Sequence, residues 1–303
     1  MIPSELKKLF NKGINIIKYL KEKENILTSD EIIEISYDLQ AGSYTKNLLN
    51  NEELEQFYID YTNELSKEIK VLCTPYSIME AGIGEASTFA NTLDNFANIK
   101  SYGFDISFSR LLFAKQYLKM KGHGTVELST GNLYDIPFLD NSIDIVYTSH
   151  TIEPNGGNEV KILKELYRVT NKYLILLEPA YELSNNLIKE RMDYHGYCKN
   201  LKKHAESLGY KIIKYKLFKY SANEQNPTAI IIIEKNNIEK NNIECPLACP
   251  KFKTQIYKNE HYLYSDDSLY VYPRIKDINL LRKENAILAT NFDDSGACYK
   301  SCI

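Results

Sequence analysis

The chain has 303 residues, enough for one large domain or two unequal ones. Apolar residues make up 44% and a net charge of −3 is dispersed over both signs, which excludes global disorder and leaves no broad cationic face for nucleic acid. No run approaches the ~20 apolar residues of a membrane span, and the longest, 173–177 and 229–233, have strand length.

Residues 1–72 read as a helical extension, with helical patterns near 4–21, 29–38 and 51–70. Leu6, Leu9, Phe10, Ile14, Ile17 and Leu20 share one face of the first. The lysines and glutamates mixed among them do not make a signal peptide, so a cytoplasmic location is expected. Between the second and third patterns, 36–44 reads as a polar-aromatic connector containing Tyr37 and Tyr44.

From Ser77 onward strand and helix patterns alternate. Strands are predicted at 77–80, 99–104, 125–129, 143–148, 173–178, 211–218 and 228–234, and helices near 86–96, 108–121, 158–169 and 197–208. Such alternation predicts an α/β fold, a mainly parallel sheet covered by helices on both faces. The last two strands have no helix between them and read as a hairpin.

The first strand runs into a tight turn, Ser77-Ile-Met-Glu-Ala-Gly-Ile-Gly-Glu-Ala-Ser-Thr88. Gly82 and Gly84 let the backbone bend sharply and let a ligand lie against bare main chain. The second strand ends on Asp105, a carboxylate suited to both hydroxyls of a ribose. A dinucleotide site would want a third glycine where Ser87 stands, and Glu80 and Glu85 around the turn would repel a pyrophosphate. A cationic ligand such as S-adenosylmethionine suits them by charge sign. A dehydrogenase reading is disfavoured on the same ground.

On these motifs the chain resembles the class I S-adenosylmethionine-dependent methyltransferases over roughly 77–235. Their Glu-x-Gly-x-Gly is matched by Glu80, Gly82 and Gly84, their acidic end of the second strand by Asp105, and a third motif by 131–138. The resemblance implies a seven-stranded sheet with a terminal antiparallel hairpin. Gly82 and Gly84 would lie against the methionine portion, with Glu80 fixing the turn. Asp105 would take the ribose, and Asn132 with Leu133 would meet adenine. Asn132 stands where the family has an aspartate, and its amide oxygen can accept the same hydrogen bond. The segment before the first strand would close over the cofactor, which makes Tyr37 and Tyr44 lid candidates, or else filler of a helix–helix contact. His150 is a candidate general base, or a cap of the cofactor or the loop by hydrogen bonding, and Glu178, closing the fifth strand, either faces substrate or is an ordinary exposed strand-end carboxylate.

The five-residue unit Lys-Asn-Asn-Ile-Glu is written twice over 235–244, so 236–244 reads as a linker between a catalytic domain at 73–235 and a small module at 245–303. The module resembles the short zinc-ribbon-like activators of methyltransferases in its Cys-Pro-Leu-Ala-Cys-Pro opening and its Tyr-Pro step near 272. Their second cysteine pair is replaced here by Tyr264, Ser265 and Asp266. Cys245, Cys249, Cys298 and Cys302 would need the tail to fold back to form a Cys₄ site; packed or free thiols are expected, and no metal. The resulting expectation is methyl transfer by direct displacement to a small-molecule, sugar or lipid-linked acceptor, with a protein partner able to dock on the module. The alternative is a catalytically silent, partner-binding subunit of the same fold.

Overall fold

The computed structural model describes residues 3–23, 29–235 and 243–292. Five helices come first: α1 (Pro3–Asn11), α2 (Ile16–Lys23), α3 (Ser29–Gln40), α4 (Ser43–Leu49) and α5 (Glu52–Leu72). The pattern expected as one helix over 4–21 is two, because the chain turns at Gly13 with φ +80°, a conformation glycine adopts without a side-chain penalty. The expected connector at 36–44 is mostly helical, since α3 runs on to Gln40 and only 41 and 42 link it to α4. At α5, the Asn51 side chain accepts from the Leu54 N–H at 3.0 Å, and Glu52, Glu53 and Glu55 complement the helix dipole.

The alternating region follows as β1 (Ser77–Ala81), α6 (Phe89–Leu93), β2 (Lys100–Asp105), α7 (Phe108–Met120), β3 (Glu127–Thr130), β4 (Ile143–Ser149), α8 (Glu159–Val169), β5 (Thr170–Pro179), α9 (Asn186–His195), α10 (Leu201–Ser207), β6 (Lys211–Leu217) and β7 (Thr228–Glu234). Helix α9 had no expected counterpart; Asn185 caps its start by accepting from Ile188 N–H, and Gly196 ends it in the left-handed region. Strands β1 to β5 are mutually parallel, and β7 lies antiparallel between β5 and β6. Alternate residues feed two cores. Met79, Val146, Leu174 and Ile231 face one side, and Ile78, Ile145, Ile175 and Ile230 the other. Both sides are buried, which is why these strands read as unbroken apolar runs.

The sheet does not end at seven strands. The C-terminal segment adds β8 (Tyr257–Lys258), β9 (Tyr262–Ser265), β10 (Tyr270–Ile275), β11 (Ile278–Leu280) and β12 (Ile287–Leu288). Strand β11 pairs in parallel with β3, Asn279 opposite Ser129 and Leu280 opposite Thr130. The result is one twelve-stranded sheet ordered β6-β7-β5-β4-β1-β2-β3-β11-β10-β9-β8, with β12 on β10. An edge that would otherwise present unpaired backbone groups is covered. Leu247, Ile256, Leu263, Tyr272 and Leu281 join the same core as Tyr102, Phe104 and Phe138. No helix among the described residues is long and apolar enough to cross a membrane.

Candidate functional site

Strand β1 lies between β2 and β4, so the order reverses there and the carboxyl ends of these strands open a crevice. A cavity of about 290 Å³ fills it, at the lower end of the ~300–1,000 Å³ common for small-ligand sites. Glu80, Gly82, Asp105, Asn132, Leu133 and His150 all line it. Gly84 does not, although it builds the turn.

The turn is held from β2. The N–H groups of Gly82 and Ile83 donate to the Phe104 carbonyl at 2.9 and 3.0 Å, and Gly84 N–H donates to Asp105 Oδ2 at 2.8 Å. Gly82 and Gly84 have φ of +72° and +56°. A Cβ on Gly82 would lie 2.0 Å from Thr151 Cγ2, and one on Gly84 would lie 2.3 Å from Arg110 Nη2. Gly82 is therefore required by the protein's own packing, and Gly84 by its left-handed backbone, since its neighbour is the end of a flexible side chain. Asp105 is buried, and its other oxygen accepts from Ser107 N–H at 2.9 Å.

The acidic residues differ from expectation. Glu80 accepts from Thr88 Oγ1 at 2.5 Å and from the Tyr147 hydroxyl at 2.9 Å, and burial pushes its pKa up to about 8. Glu85 points away from the cavity and takes the N–H groups of Gly42 and Thr45 at 2.9 and 2.7 Å, plus the Thr45 hydroxyl at 2.6 Å. It therefore anchors the start of α4 and does not face a ligand. Glu178 is buried instead of exposed: it accepts from the N–H groups of Thr151, Ile152 and Glu153, and burial raises its pKa to about 7.

His150 has φ +53° at the end of β4. Its Nδ1 pairs with Glu153 Oε2 at 2.6 Å and its Nε2 with Thr228 Oγ1 at 2.8 Å. Burial works against its charged form, yet the hydrogen bond and charge of Glu153 outweigh it and raise the pKa. Both ring nitrogens already have partners, so the ring braces the 150–155 loop.

The N-terminal helices form the roof. Tyr37, Tyr44, Phe57, Tyr58 and Tyr61 line the cavity from α3, α4 and α5, and the Tyr61 hydroxyl reaches Ser149 Oγ at 3.1 Å. Asp38 on α3 caps α7 by accepting from Ser107 Oγ, Ser109 N–H and Ser109 Oγ at 2.7, 3.0 and 2.9 Å. Asn132 donates to Asp30 Oδ2 at 3.1 Å and accepts from Tyr134 N–H at 3.0 Å. Sequence reading missed Arg110, Asp30, Phe57, Tyr58 and Tyr61, because aromatic residues on a long helix look like core filler and α7 carries no motif at 110.

In the C-terminal segment, Cys245 Sγ donates to the Ile256 carbonyl and Cys249 Sγ lies 3.1 Å from the Tyr272 hydroxyl. No group of three or more His, Cys, Asp or Glu that could hold a metal occurs among the described residues. Cys298 and Cys302 lie outside those residues.

The residues present fit an adenosyl ligand: a carboxylate at the β2 end, apolar Ile106 and Leu133 on the wall, and the buried Nε of Arg110 without a partner. Residues 79–175 match the family described as "Methyltransferase domain". The chain is 39% identical over 69 residues to demethylmenaquinone methyltransferase of Geobacillus kaustophilus (strain HTA426), covering 23% of this chain and 29% of that relative. The enzyme of the same name from Geobacillus stearothermophilus is 38% identical over 71 residues, covering 23% and 30%. The chain thus spans under a third of the length of the curated relatives it matches. Among solved structures, it superimposes on magnesium protoporphyrin IX methyltransferase from Synechocystis PCC 6803, with a TM-score of 0.52 at 14% identity, covering 69% of this chain and 100% of that one. A Nostoc punctiforme PCC 73102 structure described as an O-methyltransferase gives 0.50 at 10% identity, covering 66% and 60%. At these identities the likeness is one of fold.

Proposed function

We propose that the protein is a cytoplasmic S-adenosylmethionine-dependent methyltransferase acting on a small-molecule, sugar or lipid-linked acceptor. The observation that carries this reading is the meeting, at one cavity, of Asp105 after β2, Asn132 and Leu133 after β3, and the Gly82 turn after β1. Asp105 takes the ribose hydroxyls, and Asn132 and Leu133 meet adenine. When bound, the cofactor supplies a methyl group on a sulfonium. The protein's part is alignment and exclusion of water: the turn and Asp105 fix the donor, and the tyrosine roof closes the cavity. His150 is a positioning residue that holds the 150–155 loop through Glu153 and Thr228. Only 23% of the chain takes part in the match to the demethylmenaquinone enzymes, so their acceptor is not carried over.

In this reading 1–72 is a lid, 73–235 the catalytic domain, 236–244 a linker and 245–303 a module akin to the zinc-ribbon-like activators, contacting the catalytic domain of its own chain. Calorimetry is expected to register S-adenosylmethionine and S-adenosylhomocysteine but not NAD. Asp105→Ala is expected to weaken both ligands by about 1.5–3 kcal/mol, as for a hydrogen bond to a charged group. Unchanged affinity in that variant would remove the ribose role. Transfer of a labelled methyl group to fractionated cell extract then identifies the acceptor.

A further inference from the structure

Arg110 is the one Lys or Arg on the cavity wall among the described residues. Its guanidinium carbon lies 5.2 Å from the Tyr37 ring centre and 4.9 Å from that of Tyr44, within cation–π range of both. The side chain is 14% exposed, and its Nε is buried with no hydrogen-bond partner. The nearest carboxylate, Asp105 Oδ2, is 3.9 Å from Nη1, too far for a hydrogen bond. That oxygen already accepts from Gly84 N–H. A planar cation with an unmet donor, stacked in place on the wall of a ligand cavity, is suited to take a planar anion in a forked grip.

The place of this cation over the turn decides which anion. Arg110 Nη2 lies where a Gly84 side chain would begin, against the turn on which the methionine portion of the donor is laid in the reading above. We infer that Arg110 anchors the carboxylate of that methionine portion, held in orientation by Tyr37 and Tyr44; the inference rests on the donor being S-adenosylmethionine. It also accounts for charge. The donor brings two cations and one anion, and Arg110 is the one Lys or Arg on the wall, among the described residues, to meet that anion. Because Tyr37 belongs to α3 and Tyr44 to α4, the grip assembles only when both roof helices are seated, as Asp38 and Glu85 seat them.

The test compares S-adenosylmethionine with its decarboxylated form, which keeps the sulfonium and the amine, by calorimetry on the full chain. The parent is expected to prefer the carboxylated donor by roughly 10- to 100-fold. In Arg110→Met that preference should vanish through loss of S-adenosylmethionine affinity alone. Arg110→Lys, which keeps the charge but not the fork, should retain part of it and serves if the methionine variant does not fold. A parental ratio in either variant, or equal affinity for both ligands in the parent, overturns the inference. So does an unchanged ratio with turnover lost at saturating donor, which places the carboxylate on the acceptor. A parent that binds neither ligand overturns the donor reading itself, and the inference with it.

Discussion

Gly82→Val is expected to lose cofactor binding and about 2–5 kcal/mol of stability together. The left-handed backbone at Gly82, φ +72°, costs a non-glycine residue about 1–2 kcal/mol. Crowding adds about 1–3 kcal/mol, because a Cβ would stand 2.0 Å from Thr151 Cγ2 and 2.6 Å from its Oγ1. Thr151 cannot simply retreat, since its N–H is held by Glu178 at 3.0 Å. A branched side chain worsens both effects. The sequence alone pointed only to bare main chain for a ligand at this turn, and so to a loss of binding. Chemical denaturation of Gly82→Ala and Gly82→Val, each with and without Thr151→Ala, separates the contributions: relief by Thr151→Ala reports the crowding, and the remainder the backbone strain. A Gly82→Val protein that melts with the parent would return the glycine to the role of ligand clearance alone.

Removal of 245–303 is expected to yield a chain that is insoluble or loosely packed. Five large side chains would leave the shared core, Leu247, Ile256, Leu263, Tyr272 and Leu281. Each contributes about 1.5–3 kcal/mol on burial. Together they rival the ~5–15 kcal/mol that stabilises a whole domain. Strand β3 would also regain an open edge, a template for aggregation. The effect reaches the site through 131–140. Ala248 N–H donates to the Pro137 carbonyl, Leu139 N–H to that of Pro246, and Lys283 pairs with Asp135 at 2.6 Å. That loop carries Asn132 and Leu133, so cofactor affinity should fall with stability. Supplying 245–303 as a separate polypeptide during expression should restore solubility. By the same reasoning, protease cleavage within 236–244 should leave two pieces that copurify. A truncated chain with the parental melting temperature and parental cofactor affinity would show that the module supports neither.

Much of the fold was legible because alternation of apolar strands and helices is a local property. Every segment read as a strand between 77 and 234 is one, within a few residues, since β4, β5 and β7 are buried on both faces and their sequences are continuously apolar. Glu80, Gly82, Asp105, Asn132 and Leu133, which line the cavity, and Gly84 in the turn beside it could be singled out as candidates for a related reason: a tight turn and a strand-end carboxylate leave a mark at fixed spacing. What those residues touch was not. The glycines answer to Thr151 and Arg110, Glu85 to an α4 amide pair 40 and 43 residues earlier, and Glu178 to three amides of the 151–153 loop. Each partner is distant in sequence and meets its residue only once the sheet order is set. The same holds for β11. Its short run Ile278–Leu280 has no periodicity to distinguish it, and it becomes part of the central sheet because β3 leaves an edge beside it. The amino-acid sequence thus determined the strands and the turn, while the charge facing the turn was set by where Glu85 and Arg110 came to lie. Tertiary structure alone decided that the C-terminal segment completes the sheet and that Arg110 stands stacked over the turn, because pairing partners and cavity walls are chosen by proximity in space.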